Sequence, residues 1–111
     1  MNATDDMRLA AVLKALGHPT RLQILDAIIS GEFCVSELEE QLDRRQANIS
    51  QHLTVLRDRG VVVPVRKGKS VCYRLTDPRI EELLAQARDI FGSTARRRRA
   101  ASPAAVGAGR S

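Results

Sequence analysis

The chemistry open to this 111-residue chain lies in four groups of residues: two cysteines (Cys34, Cys72), two histidines (His18, His52), a run of amides and hydroxyls from Gln46 to Thr54, and a block of cations from Arg44 to Arg74. Gln and Asn can pair bidentately with adenine edges, and Ser and His offer single hydrogen bonds. Lys and Arg suit phosphates. Thiolates and imidazoles suit metals, but the spacing of His18 and His52 resembles no metal cluster. Catalysis finds little support. There is no Gly-rich phosphate loop, no paired carboxylates at a distinct pocket, and no Ser–His or Cys–His arrangement with an orienting partner. Neither an enzyme nor a small-molecule substrate is expected.

The amides sit in the stretch Gln46 to Gly60, QANISQHLTVLRDRG. Ile49, Leu53 and Leu56 recur at i, i+4 and i+7, one apolar helix face. At about 100° per residue, Ala47, Gln51 and Thr54 fall opposite, flanked by Asn48 and Ser50. Exposed helix faces usually carry Lys and Glu, so a small, uncharged, hydrogen-bonding face suggests a surface that reads another surface. His52 lies about 60° from the centre of the apolar face. That leaves two roles open to it, a base or phosphate contact and a packing and capping role. Gly60 ends the helix as a residue free to take the left-handed conformation.

Charge is unevenly placed. Residues 1–43 net −5, and residues 75–91 net −2. Residues 44–74 carry Arg44, Arg45, Arg57, Arg59, Arg66, Lys67, Lys69 and Arg74 against Asp58 alone, a net +7. A basic block on an otherwise acidic scaffold is the footprint of a polyanion-binding face. No apolar run approaches the ~20 residues that span a bilayer. The acidic start MNATDDMRLA lacks the order of a signal peptide. Two cysteines far apart in sequence make no disulfide framework. The expected location is therefore the cytoplasm, where thiols stay reduced.

The elements that position these residues follow in order. Met7, Ala10, Ala11, Leu13 and Leu16 mark a helix ending at Gly17, and His18-Pro19-Thr20 starts another with Leu22, Leu25, Ile28 and Ile29. Phe33-Cys34-Val35 suits a brief strand. Ser36 with Glu39 reads as a capping box for a short helix. Asp43-Arg44-Arg45 then turns into the amide-rich helix, giving a helix-turn-helix. Val61 to Val65 is a strand that Pro64 confines to a sheet edge. Lys67-Gly68-Lys69 is a basic hairpin turn, and Ser70 to Leu75 returns as the partner strand. Arg66, Lys67 and Lys69 make this hairpin a wing whose cations would meet phosphates. Thr76-Asp77-Pro78 caps a last helix striped with Ile80, Leu83, Leu84, Ala87, Ile90 and Phe91. Residues 1–91 thus read as one mainly α winged helix-turn-helix domain with a small β-hairpin. Residues 92–111, rich in Arg and Ala, read as a disordered tail. Its Arg run suits either nonspecific phosphate contacts or plain solubility.

GHPTRLQIL (Gly17 to Leu25), CVSEL (Cys34 to Leu38), ISQHLTVLRDRGVV (Ile49 to Val62) and KGKSVCYRL (Lys67 to Leu75) together resemble the ArsR/SmtB family of bacterial winged-helix regulators. The match spans roughly residues 7 to 91, in one order. The resemblance implies a homodimer formed by the first and last helices, and repression by binding double-stranded DNA. The last helix's stripe agrees, since so small a domain would otherwise expose much of it. By position, the family's DNA-reading residues fall on Gln46, Asn48, Ser50, Gln51 and His52. Arg45 stands where the family commonly has a small N-cap residue such as Ser, so a strong cap is missing; with Arg44 it suits a phosphate or guanine contact at the groove entrance.

Members that bind thiophilic metals often carry two cysteines where this chain has Cys34-Val35-Ser36, so that site is incomplete here. Members with zinc on the last helix use Asp and His, and this helix keeps Asp77 without any His. No metal site is therefore assigned. In winged helices the strand before the second helix pairs with the second wing strand, which would bring Cys34 near Cys72. Two readings stand side by side: a thiol pair that takes arsenite or another soft metal, or oxidises, and two buried cysteines acting as small hydrophobes. For the whole chain the expectation is a DNA-binding repressor. The alternative is a winged-helix protein-interaction module without DNA binding.

Overall fold

The computed structural model describes residues 2–92. The Arg-rich run and the rest of the tail lie outside the described residues. The first helix, α1 (Ala3–Leu16), begins earlier than its apolar residues suggest. Asn2 caps it, its Oδ1 accepting from the Asp5 N–H at 2.9 Å, and Asp5 and Asp6 complement the helix dipole in the first turn. α2 (Pro19–Ile29) starts on a first-turn proline, with His18 as N-cap.

The short strand β1 (Phe33–Cys34) runs straight into α3 (Val35–Leu42). Val35 belongs to the helix, and the Ser36–Glu39 capping box does not form. The cap lies two residues earlier, at Cys34, whose N–H donates to Glu37 Oε1 at 2.8 Å. Pairing of Cys34 in the sheet fixes its extended backbone, so the helix has to begin at the next residue. α3 ends at Asp43, which takes a left-handed conformation (φ 52°), one of the few side chains that visits this region readily. That residue is the tight turn into α4 (Gln46–Asp58).

The end of α4 is a Schellman motif. The Val61 N–H donates to the Leu56 carbonyl and the Gly60 N–H to the Arg57 carbonyl, both at 2.9 Å, with Gly60 at φ 76°. β2 (Val62–Lys67) and β3 (Ser70–Leu75) form the hairpin. Gly68, at φ 61°, opens its two-residue turn. The sheet order β1-β3-β2 puts Pro64 on an edge strand, as its missing donor requires. Thr76 clasps the hairpin's exit to its entry: its Oγ1 donates to the Gly60 carbonyl at 2.7 Å, and its N–H donates to the Val61 carbonyl at 3.1 Å.

The core is made of Ile24, Leu25 and Ile28 of α2, Leu38 of α3, Ile49, Leu53 and Leu56 of α4, and Val62 and Cys72 of the sheet. Residues from Arg79 onward form a second unit. Within it, α5 (Arg79–Phe91) leaves Leu83, Ile90 and Phe91 exposed. In the first unit, α1 likewise exposes Met7, Leu9 and Leu13. Among the described residues no helix is long and apolar enough to cross a membrane.

At Gly60 an added Cβ would meet nothing within 4 Å, so a substitution there is penalised only through its backbone. Gly60→Ala should lower folding stability by about 1–2 kcal/mol, the cost of a left-handed L-residue. Denaturant midpoints measured under fixed redox conditions check this. An unchanged midpoint would show that the helix end does not depend on the left-handed residue.

Candidate nucleic-acid interface

Burial of Ile49, Leu53 and Leu56 sets the rotation of α4 and hence its outer face. Gln46, Ala47, Gln51 and Thr54 are exposed there, and Arg44 and Arg45 flank the helix entry. Arg45 is the N-cap residue but makes no side-chain cap bond. Another element supplies the cap. The Gln46 N–H donates to Glu39 Oε2 of α3 at 3.1 Å, which puts a carboxylate at the positive end of the helix dipole. Sequence reading could not find this tie, because Glu39 had been assigned to its own helix. The Thr54 hydroxyl donates to the Ser50 carbonyl at 2.9 Å, so its donor is already engaged within α4.

Two expected readers, Ser50 and Asn48, are placed less openly than the helical wheel suggests, while His52 sits at the boundary where the wheel puts it. Ser50 is half-buried. Asn48 is half-buried too, and its Oδ1 is buried with no hydrogen-bond partner. It therefore belongs to the edge of the α4 packing face rather than to the open outer face. His52 is also half-buried, and of the two roles open to it the structure fills the packing one. Its Nδ1 accepts from Arg21 Nε at 3.3 Å, and its ring lies 4.6 Å from that of His18, tilted by 47°. Arg21 also donates through Nη1 to the Ala15 carbonyl at 3.0 Å, while His18 Nδ1 accepts from the Thr20 N–H at 3.1 Å. On His52 an accepting Nδ1 requires a neutral ring. Burial, then the neighbouring His18, Arg21 and Arg44, hold the His52 pKa below its ordinary value. The α1–α2–α4 junction is thus tied by a knot of polar side chains of which only the residues, not the pairing, were visible in sequence.

On the wing, Arg66 and Lys69 are exposed. Lys67, expected to be free for phosphate, forms an ion pair with Glu32 in the α2–β1 connection. Such partly exposed pairs contribute little, so the lysine is engaged without being locked.

The expected closeness of the two cysteines is borne out. Cys34 pairs directly opposite Cys72 in the β1–β3 ladder, with Cα atoms 3.7 Å apart, and their sulfurs form a disulfide. Cys72 is fully buried and Cys34 is half-buried. A cavity of about 370 Å³ opens beside Cys34, lined by Val35 and Ser36 of α3, Gln46 and Ser50 of α4, and Lys69, Ser70, Val71 and Tyr73 of the hairpin. It brings the sulfur pair's strand, the start of α4 and the wing tip around one space. Among the described residues, no three His, Cys, Asp or Glu side chains gather as a metal site.

Comparison with known proteins agrees with this geometry. Residues 18–63 match the family described as "Bacterial regulatory protein, arsR family". The biofilm growth-associated repressor of Agrobacterium fabrum is 42% identical over 83 residues, covering 75% of this chain and 71% of that protein. The crystal structure of Rv0081 from Mycobacterium tuberculosis superposes with a TM-score of 0.77 at 33% identity, over 88% of this chain and 98% of that one. A homodimeric winged helix-turn-helix DNA-binding domain from Mycobacterium bovis, solved by NMR, gives 0.75 at 30% identity, over 79% of this chain and 82% of that one. An amide-bearing helix held by its apolar face beside a basic wing, with these relatives, makes the chain a member of the arsR family of bacterial transcriptional regulators.

Proposed function

We propose that the protein is a homodimeric repressor acting in the cytoplasm, which reads a palindromic operator in double-stranded DNA and releases it when Cys34 and Cys72 are oxidised. The observation that carries the DNA-binding part is the outer face of α4. It is uncharged, exposes Gln46 and Gln51, follows Arg44 and Arg45 at its entry, and shares a cavity through Gln46 and Ser50 with the exposed wing cation Lys69. Amides there can address base edges while the cations hold phosphates. A protein-interaction module would need neither the net +7 of residues 44–74 nor this face. Dimerisation has two supports: the apolar residues left exposed on α1 and α5, and the homodimeric relative.

The thiol part rests on the β1–β3 pair. In the reduced state two thiols face each other across the ladder. Oxidation removes two protons and two electrons, passed to a peroxide or a small disulfide, and joins the sulfurs. The bond closes a loop, 38 residues apart in sequence, that contains α3, α4 and β2 and so constrains the reading helix and the wing together. Arsenite or another soft metal would bridge the same two sulfurs in place of the bond.

Selection from random DNA at moderate salt, followed by gel shifts, tests the reading. One palindromic class of site is expected, with half-sites about one helical turn apart. Gln51→Ala should lower the preference for that site over random DNA by about 1–3 kcal/mol. Lys69→Ala should weaken both DNAs alike and reduce the salt slope by about 1. If the two substitutions behaved identically on both DNAs, the division between reading helix and phosphate-holding wing would be wrong.

For the signal, operator affinity is compared between reduced and oxidised protein. Oxidation should weaken wild-type binding at least tenfold, a coupling of about 1.4 kcal/mol. Cys34→Ser and Cys72→Ser should each bind like the reduced wild type and ignore oxidant. An oxidised wild type that keeps full affinity removes the switch but leaves DNA binding standing.

A further inference from the structure

Away from the amide face, α1, α2 and the C-terminal end of α4 enclose a recess of about 580 Å³. Its walls carry Lys14 from α1, His18 and Arg21 from the start of α2, and Arg59 from the end of α4. Ala11, Ala15 and Val55 supply apolar wall. None of the described residues lining it is acidic. Three permanent cations on three separate elements therefore converge on one concave space with no carboxylate among them, which costs repulsion unless an anion enters. The guanidinium of Arg21, which lines the recess, is part-buried and held by the Ala15 carbonyl and His52 Nδ1. A held guanidinium is the group that recognises carboxylate or phosphate oxygens with least ordering cost.

We infer that this recess is a binding site for a small organic oxyanion, a carboxylate or phosphate ester with a short apolar group. Arg21 takes the oxyanion from the fixed side, Lys14 and Arg59 close on it from the open side, and Ala11, Ala15 and Val55 receive the apolar part. The site is distinct from the face proposed to read DNA. Arg59 lies 13 residues beyond Gln46, about 20 Å along the helix axis at ~1.5 Å per residue. It also lies on a different side of α1 from Leu9 and Leu13. At about 100° per residue, the mean direction of Leu9 and Leu13 is roughly 150° from that of Ala11 and Lys14, whereas the exposed Met7 lies within about 40° of Ala11 and Lys14. A dimer contact confined to Leu9 and Leu13 would leave the recess open. Because Arg59 follows the last turn of α4, an occupant ties that helix's end to α1 and α2.

The test uses the full chain, isotopically labelled, without DNA, so its outcome is independent of operator binding. Butyl phosphate, butyrate, inorganic phosphate and, as a cationic control, butylamine are titrated at constant ionic strength while backbone amide shifts are followed. At least one of butyl phosphate and butyrate should give saturable shifts at Lys14, the Gly17–Arg21 turn and Arg59, in about the millimolar range expected of so small a ligand. Which of the two saturates names the headgroup. Inorganic phosphate should bind more weakly than the butylated anion that saturates, because it leaves the apolar wall empty. The double substitution Lys14→Gln with Arg59→Gln alters only exposed side chains. It should weaken binding at least tenfold while the rest of the spectrum stays unchanged. Shifts that never saturate, shifts confined to residues 44–69, or equal affinity in the double variant would overturn the site.

Discussion

Burial of the Ile49, Leu53 and Leu56 face is the constraint on which the rest depends. These three side chains pack toward α2, α3 and the sheet, and so they fix the rotation of α4 about its own axis. A rotation of about half a turn would carry Gln51 inward and expose the leucines. The helix has few means of its own to hold this setting, since its N-cap is an arginine that makes no cap bond. The neighbouring elements supply what is missing. Glu39 of α3 closes its first turn, Arg21 of α2 takes hold of His52 in its middle, and the Schellman turn at Gly60 closes its end. The amide face is therefore set by the burial of the opposite side and held by two ties from other elements and one at the helix's own end.

Much of this was legible in the residues. Helix and strand identities, the edge position of Pro64, the glycine stop at Gly60 and the facing of Cys34 and Cys72 all follow from periodicity, backbone chemistry or winged-helix pairing. The ordered motifs made the family recognisable. What was not legible shares one physical character: each case depends on which elements meet in space rather than on spacing along the chain. Glu39 fits a local capping box as well as it fits a distant helix end, and sequence spacing cannot decide between them. Lys67 reads as free until the fold brings Glu32 to it. Asn48 reads as outward on a wheel, but a wheel cannot show how far a neighbouring element overhangs it. His52, at the boundary, was resolved only once Arg21 and His18 were in place around it.

The cysteine pair shows how one position in a sheet can serve two ends. β3 is the central strand, so Cys72 is covered and contributes to the core as a small apolar residue. Cys34, opposite it, sits where strand becomes helix and is half-buried beside the cavity that reaches Gln46, Ser50 and Lys69. Closing a loop of this size removes unfolded-state entropy worth about 4 kcal/mol, comparable to a large part of a small domain's stability. The bond joins the strand before α3 to the second strand of the wing, on either side of α4 in the chain.

The free protein also holds its cationic face with its own carboxylates. Glu32 sits on Lys67 of the wing, Asp58 on Arg57 of α4, and Glu39 on the N-terminus of α4. Each occupies a place that suits a phosphate oxygen: a lysine, a guanidinium, a helix start. The two ion pairs have substantially exposed partners, and pairs of this kind are worth about 0–1 kcal/mol each. Separating Glu32 or Asp58 from its cation would therefore cost little. Glu39 differs, since its oxygen also fixes where α4 begins, and its loss would loosen the helix at the end that carries Gln46. The acidic residues scattered through the first half of the chain are thus more than a counterweight to the basic block. Two of them, Glu32 and Glu39, partner the wing lysine Lys67 and the N-terminus of α4.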